Sequence, residues 1–568
     1  MKQVDQFISD IMTSRKKQFC LFFIILVLFS LLTAYRDEPI YRGVDFHFHF
    51  RRFISLINAL RDGTFPTYID YNAINGYGYL SNTFYPDFIL IPFAFIGLIS
   101  SPLFGYKFAI FTSSILCGFF TYRAVDKIFK NSLAASLAGI LYTFCNYRLY
   151  DYFHRSSLGE LFTFAFVPIV ILGLYYIIEG DYKRKWYVIA IGFSLIIFSH
   201  VISSLLMAIT VIVILVICCK KLVKEPKRIL YLALAGLATI ILTSYSLFPM
   251  LEQMQSDTFN YNVSNWYPVD KYQLSIYWII CGMTTGPTYE NLFDPPKIGL
   301  LLTLGICLCI FVQKKKSKEL KLANIAVIVG FVLLLMISEL FPWTIFPFSK
   351  LSFIQFPWRL FQFISFFFAI AGAYYLSQIS LSDKRIFALF LGFVIYAGFV
   401  IVSESKIYKE TVDLPAFAYL DTAEPSIKNN YLGTGKEYLP ESVSIETLYE
   451  KGDIITSRGN NSVISNINRN GGILNFDIST NGSDNIELPL IYYKGYEVRI
   501  DGTELPVNKS NNGLVTVSVG QSGRVEAYYA GTVVQKVSFY ITIAGILLLC
   551  IYIYLAKRRR KNMKIAIG

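Results

Sequence analysis

Apolar runs of membrane-crossing length recur along the chain, and short clusters of lysine and arginine punctuate them. A helix needs roughly 20 apolar residues to cross a bilayer core. Runs of this kind stand at 19–34, 105–122, 132–147, 161–178, 187–203, 204–219, 229–248, 298–312, 322–338, 358–377, 386–402 and 537–556. The cations gather between them, at 15–17, 183–185, 220–228, 314–321, 384–385 and 557–561. Loops that stay in the cytoplasm carry such an excess. The pattern therefore predicts a polytopic α-helical membrane protein of about twelve spans, with both termini cytoplasmic. The formal charge of +13 sits in those clusters and sets orientation, so it implies no nucleic-acid surface. Parity leaves stretch 86–104 no room to cross, and it reads as a re-entrant or interfacial hairpin. The first run follows Arg15, Lys16 and Lys17 without a small-residue cleavage site and reads as an uncleaved signal anchor.

The same parity puts segments 35–85, 148–160, 249–297 and 339–357 outside, joined by the long polar region 404–536. Three parts follow: a transmembrane part over 1–403, an extracytoplasmic β-rich part over 404–536, and a last span with a basic tail over 537–568. Short β-favouring runs at 443–448, 472–478, 486–493, 496–500, 514–519 and 525–529 alternate with turn residues. Asp501-Gly502 and Asn511-Asn512-Gly513 are hairpin signals. The expectation is a small β-sandwich over about 425–533, lacking a catalytic cluster. All nine cysteines lie in or beside apolar runs and none in 404–536, so that part must stand without disulfides.

Chemistry concentrates in the outer segments. In GVDFHFHFRR, 43–52, a helix would put Asp45, His49 and Arg52 at i, i+4 and i+7, on one face. A strand would instead pair His47 with His49 as a metal-type His-x-His. A polar interfacial helix is the plainer alternative. The glycine-rich loop 72–87 carries Tyr77, Tyr79 and Tyr85, which either line a groove for a sugar or lipid head or anchor the interface. Segment 146–160 brings Arg148, Asp151, His154, Arg155 and Glu160 to the membrane edge. Glu160 opens an apolar run, where an unpaired carboxylate is costly, so it must pair with a cation, bind a metal or stay protonated. An ion pair with Arg155 or Arg148 is the plain reading, and capping the helix that starts near Leu161 is compatible with it. His200 sits at the end of a span, and Gln355-Phe-Pro-Trp-Arg359 opens another. The guanidinium of Arg359 suits either a phosphate or the headgroup region.

These segments carry a resemblance. Asp45-x-x-x-His49-x-x-Arg52, Gly63-x-x-Pro66, Asn75-Gly-Tyr-Gly-Tyr79 and Phe84-Tyr-Pro86 are similar to the first loop of YfhO-like bacterial multispan proteins. Some of these are labelled "6-pyruvoyl-tetrahydropterin synthase-related". Tyr147-Arg148, Arg155-x-x-x-Gly159-Glu160, Ser199-His200 and Gln355-Phe-Pro-Trp-Arg359 resemble further segments of that group, over most of the chain. The pterin label implies no activity here, since the chain's four histidines show no zinc-binding arrangement.

The resemblance implies the GT-C architecture of polyprenyl-phosphate-sugar-dependent glycosyltransferases. It also implies an inverting transfer on the outer face of a bacterial cell membrane. The donor would be an undecaprenyl-phosphate-linked sugar, and the acceptor a cell-envelope glycopolymer such as teichoic acid, or a glycolipid. Asp45 matches the catalytic acid of the first outer loop and would act as general base, with His49 and Glu160 assisting. Arg52, Arg155 and Arg359 would stabilise the departing phosphate. Tyr77, Tyr79, Tyr85, Arg148, His154, His200 and Gln355 complete the expected substrate-binding set. No metal ligand is assigned and no cofactor is required, although a divalent ion (Mg or Mn) bridging the phosphate would fall to Glu160. The rival functions are a flippase for lipid-linked saccharides and a non-catalytic envelope scaffold. A flippase needs a polar pathway through the bundle, whereas the ionisable residues collect at the outer ends of spans.

Overall fold

The computed structural model describes residues 2–35, 43–263, 268–286, 294–312, 317–412 and 436–565. The chain forms two compact units. One comprises Met1–Phe46, Lys107–Thr239 and Trp266–Tyr419; the other comprises His47–Tyr106, Ile240–Asn265 and Leu420–Gly568.

Helices dominate the first unit. Leu158–Ile178 and Pro357–Gln378 lie at its centre, for most of their surface is covered. Beyond the polar residues near their ends, both are apolar on every face, as a helix with neighbours on every side must be. Lipid offers little hydrophobic drive between helices, so close backbone approach matters there. It occurs where Gly305 meets Gly372, and at Gly173, where an added Cβ would lie 2.3 Å from the Ile189 nitrogen.

Among the described residues, seven helices are long and apolar enough to cross a membrane, or eight if the pair Lys227–Leu242 and Ser244–Ser256 is one bent span. The expected count of about twelve is not reached on these criteria. The run at 132–147 yields only the twelve-residue helix Ser132–Thr143. The runs at 187–203 and 204–219 become Tyr187–Ile197 and Val201–Ile217, separated where His200 turns extended and caps the second helix. Composition counted apolar residues; it did not register where side-chain capping ends a helix. Stretch 86–104 gives a short apolar helix, Phe88–Ile99, that turns directly into Pro102–Phe129.

The second unit holds the β part. Its strands are β1 (Thr456–Ser457), β2 (Ser462–Asn470), β3 (Ile473–Thr480), β4 (Asp484–Ile491), β5 (Tyr496–Ile500), β6 (Thr503–Leu505), β7 (Val507–Lys509), β8 (Leu514–Val519) and β9 (Gly523–Tyr529). They form two antiparallel sheets, ordered β1-β4-β8-β7 and β2-β3-β9-β5-β6. Alternate residues of both sheets, among them Leu474, Phe476, Ile486, Leu488, Val517 and Val525, share one core, as period-2 burial requires. Asp501 and Gly502 both take positive φ in the β5–β6 hairpin, as the Asp-Gly signal predicts.

One reading of the β part needs correction, and one strand lies outside the β-favouring runs. The run at 443–448 is not a strand: Ser444 caps a helix, Ile445–Lys451, by accepting the Thr447 N–H. Strand β2 is a strand despite its polar sequence, because it lies at a sheet edge with most of its residues in contact with solvent. Residues 425–435 of the expected sandwich lie outside the described ones.

Glu487 on β4 is buried between Lys451 and Arg458. Burial alone would raise its carboxyl, but hydrogen bonds from Lys451, Ser510 and Arg458 outweigh that and bring it down from 4.5 to about 2. A lowered folded-state value contributes stability above the ordinary value that is lost as protonation proceeds. The melting point of the full chain in detergent should therefore fall as pH drops from 4.5 towards about 2. Glu487→Gln should flatten that slope; an unchanged slope would remove Glu487 from the acid response.

Candidate active site

The first unit builds its polar site from a distorted connection between two helices. Asn146–Tyr150 runs into a wide turn, Asp151–Arg155, of the i→i+5 kind. Such turns gather at functional sites because they re-aim side chains out of regular helical register. Ser156, in the left-handed conformation, ends the turn before Leu158–Ile178 begins. Segment 43–45 then pairs with it. The Gly43 N–H donates to Ser156 Oγ (2.8 Å), Val44 N–H to the His154 carbonyl (3.1 Å) and Asp45 N–H to the Arg155 carbonyl (2.8 Å). A Cβ on Gly43 would lie 2.4 Å from the His154 oxygen, so only glycine admits this approach.

That pairing places Asp45 against Arg155, whose Nη2 donates to Asp45 Oδ2 at 3.1 Å. Through Nη1, Arg155 also donates to Asp151 Oδ1 (3.1 Å) and Glu160 Oε1 (2.6 Å). Glu160 is the hub of the network. Its Oε1 also accepts from Arg359 Nε (2.9 Å), and its Oε2 accepts from Tyr147 (3.0 Å) and Gln362 (3.2 Å). Gln362 continues to Ser203 Oγ (3.1 Å), which lies 2.7 Å from His200 Nδ1. Arg359 is further held by the Ile354 carbonyl and by Gln355, a residue at φ 63°.

Electrostatics divides the three carboxyl groups. Burial, reinforced by the like charge of Glu160, pushes the Asp151 carboxyl well above the ordinary carboxylate range. Burial works against the Arg155 charge, but Glu160, Asp151 and Asp45 together raise its guanidinium well above the ordinary value. Asp45 and Glu160 both pair with Arg155, and Glu160 also pairs with Arg359. Glu160 is 0% exposed and Arg155 10%, whereas the Asp45 side chain is 27% exposed. Asp45 is the carboxyl group of this network with an open flank.

The second unit has its own polar cluster. Arg52 Nε donates to Asp87 Oδ1 (3.0 Å), and its Nη1 lies 3.2 Å from His49 Nδ1. Its guanidinium sits 4.0 Å above the Tyr85 ring. Asn82 donates to the other Asp87 oxygen at 2.6 Å. Burial is the leading effect on Asp87 and outweighs Arg52 and Asn82, bringing its carboxyl up to about 6. Arg51 pairs with Asp70 at 2.8 Å.

The expected stripe of Asp45, His49 and Arg52 is accordingly divided. Asp45 precedes the helix Phe46–Arg61 and answers to Arg155, while His49 and Arg52 lie on that helix with Asp87 and Tyr85. The helix also overturns the strand alternative that would pair His47 with His49. Tyr77 and Tyr79, expected in a substrate groove, are buried in an apolar core with Ile491, Leu514 and Leu439. The Tyr77 hydroxyl donates to the Gly452 carbonyl, and the Tyr79 hydroxyl accepts from the Tyr438 N–H. Arg148, expected to bind substrate, is buried and ties the Thr143 carbonyl to Ser113 and Ser114. His154 faces Glu404 at 3.2 Å.

Sequence reasoning did not single out Gln362, Ser203, Asp87, Asp70 or Glu404. Glu404 and Gln362 carried a signal, being polar residues within apolar helices. As for a divalent ion, each Glu160 oxygen already accepts two hydrogen bonds, which fills a carboxylate. The metal-ligand alternative for Glu160 therefore does not fit this arrangement. Among the described residues, no three His, Cys, Asp or Glu side chains are grouped to hold a metal ion.

No family model matches the chain. An uncharacterized protein of Lactococcus lactis subsp. cremoris (strain MG1363) is 25% identical over 567 residues, covering 90% of this chain and 91% of its own length. Among solved structures, a cryo-EM structure of the arabinofuranosyltransferase AftD from Mycobacteria aligns with a TM-score of 0.45 and 13% identity. The alignment takes in 68% of this chain, which spans 27% of the length of AftD. A mutant form of AftD aligns with a TM-score of 0.39 and 14% identity.

Proposed function

We propose that this chain is a membrane glycosyltransferase of the GT-C kind, moving a sugar from a polyprenyl-phosphate donor to a hydroxyl of a cell-envelope glycan on the extracytoplasmic face. The observation that carries the reading is Asp45, partly exposed at 27% and held by Arg155 in an otherwise buried charge network. The resemblance of its surrounding motif adds support. Asp45 would take the proton of the acceptor hydroxyl as that oxygen attacks the anomeric carbon. The new glycosidic C–O bond forms as the bond to the lipid phosphate breaks, and the configuration inverts. Arg155, next to Asp45, would face the charge that grows on the departing phosphate. Glu160 acts through the two arginines it holds, and Arg359, Gln355, Gln362, Ser203 and His200 act as positioning residues behind it. No step requires a metal ion.

The flippase alternative finds less support. Tyr187–Ile197 and Val201–Ile217 contain no Asp, Glu, Lys or Arg, and Glu160 is the one such residue in Leu158–Ile178. Charge at one end of a span suits surface chemistry better than passage. The test is to give the purified full chain a labelled polyprenyl-phosphate sugar and a cell-envelope glycan acceptor. Release of free polyprenyl phosphate with label on the glycan is expected. Movement of intact lipid-linked sugar across a vesicle without release would overturn the reading.

Gly43→Ala probes the same geometry from the backbone. Its Cβ would drive segment 43–45 away from His154, and displacement of a reacting group by about 1 Å costs on the order of 10²-fold in rate. A turnover number within twofold of wild type, by rough measure, would show that the close approach does not position Asp45.

A further inference from the structure

A second feature of the first unit lies at the other end of the Leu158–Ile178 helix. Glu160 stands in its first turn and Glu179 just past its last, about 28 Å apart at 1.5 Å per residue. Beside Glu179 an apolar slot is lined by Phe129, Ile171, Leu174, Ile214, Ala326 and Phe367, contributed by five helices. Its polar end is basic. Lys221 and Lys318 both pair with Glu179, the latter at 3.1 Å. The Lys318 ammonium lies 5.7 Å from the ring of Tyr175, itself part of the slot wall. Lys321 brings further positive charge near Lys221, as does Arg228, whose own partner is Glu225 at 2.8 Å.

We infer that this slot binds an anionic phospholipid, with an acyl chain between the helices and the phosphate against Lys221, Lys318 and Lys321. The apolar wall admits a hydrocarbon chain and rejects polar groups, which would find no hydrogen-bond partner along it. The cations outnumber the carboxylate they share, so charge complementarity selects an anionic head over a zwitterionic one. Burial, followed by the like charges of Lys318, Lys321 and Arg228, lowers Lys221 from its ordinary value; a phosphate there would relieve that repulsion. Nothing in this inference depends on the transfer reaction, whose residues lie at the opposite end of the helix.

The experiment is native mass spectrometry of the full chain released from detergent, loaded with phosphatidylglycerol or phosphatidylcholine of matched acyl chains. Wild type should retain phosphatidylglycerol preferentially. Lys318→Ala with Lys321→Ala, both at exposed positions, should lose that preference by about fivefold for each lysine removed. Ala326→Phe, which fills the slot, should lower retention of both lipids. Equal retention of the two lipids by wild type, or an undiminished preference in the lysine variant, would overturn the assignment. If Ala326→Phe fails to fold, the lysine variant alone decides, since its substitutions lie outside the helix core.

Discussion

Asp45→Asn should reduce sugar transfer by about 10²–10⁴-fold, the usual contribution of a positioned general base, while the protein stays folded and inserted. The substitution is nearly isosteric. The amide oxygen can still accept the Arg155 Nη2 hydrogen bond, and the backbone bond from residue 45 to the Arg155 carbonyl is untouched. What disappears is the capacity to accept a proton. Asp45 is partly exposed, so the loss of its charge leaves less uncompensated in the interior than a change at Glu160 would. The diagnostic result is a collapse of kcat with binding of the lipid donor preserved, because a base acts on the transition state and not on donor affinity. Wild-type turnover by this variant would remove Asp45 from the chemistry.

Glu160→Ala has the largest expected effect on stability. Arg155 and Arg359 would lose the carboxylate they share, and Tyr147 and Gln362 would lose their acceptor. Removing one partner of a buried ion pair costs about 3–5 kcal/mol because the remaining charge stays buried and uncompensated. Against a typical total of about 5–15 kcal/mol, that is enough to depress the melting point sharply or to prevent accumulation of the protein. A double-mutant cycle separates the pair from its surroundings. Glu160→Met together with Arg359→Met should cost less than the sum of the two single changes, with a coupling of about 0.5–3 kcal/mol. Thermal unfolding in detergent is the measurement. Additive changes would show that Arg359 and Glu160 do not depend on each other.

How much of this was legible beforehand varies with the kind of signal. The helices Leu158–Ile178 and Pro357–Gln378 were readable because uninterrupted apolar sequence of that length has few other uses. Most of the β strands were readable from alternation and turn residues, and the Asp501-Gly502 hairpin from the positive φ it needs. Ile445–Lys451 was misread because its residues favour strand and helix about equally, and a capping hydrogen bond from Ser444 decided between them. Glu160 announced a partner by its position in an apolar run. Arg155, five positions away, was one of the two cations expected to answer; Arg359, 199 positions away, was hidden as a partner.

Tyr77 and Tyr79 show the opposite failure. Glycine-rich sequence with tyrosines suggested an open groove, yet the loop is anchored to the β part by Arg469 on the Gly76 carbonyl and by the Ile491 N–H on the Tyr77 carbonyl. Local composition carries no information about such long-range bonds.

By itself, the order of residues determined that much of this chain belongs in a membrane, that a β-rich part precedes a last apolar helix, and that charge collects at one end of an apolar run. These follow from solvation and from 3.6- and 2-residue periodicity, which are local properties. Tertiary structure alone decided that Asp45 meets Arg155 rather than Arg52, and that Glu160 is enclosed by two arginines. The physical reason is that both outcomes depend on a backbone approach at Gly43 and on side chains brought together from distant helices, where shape and desolvation choose the partners.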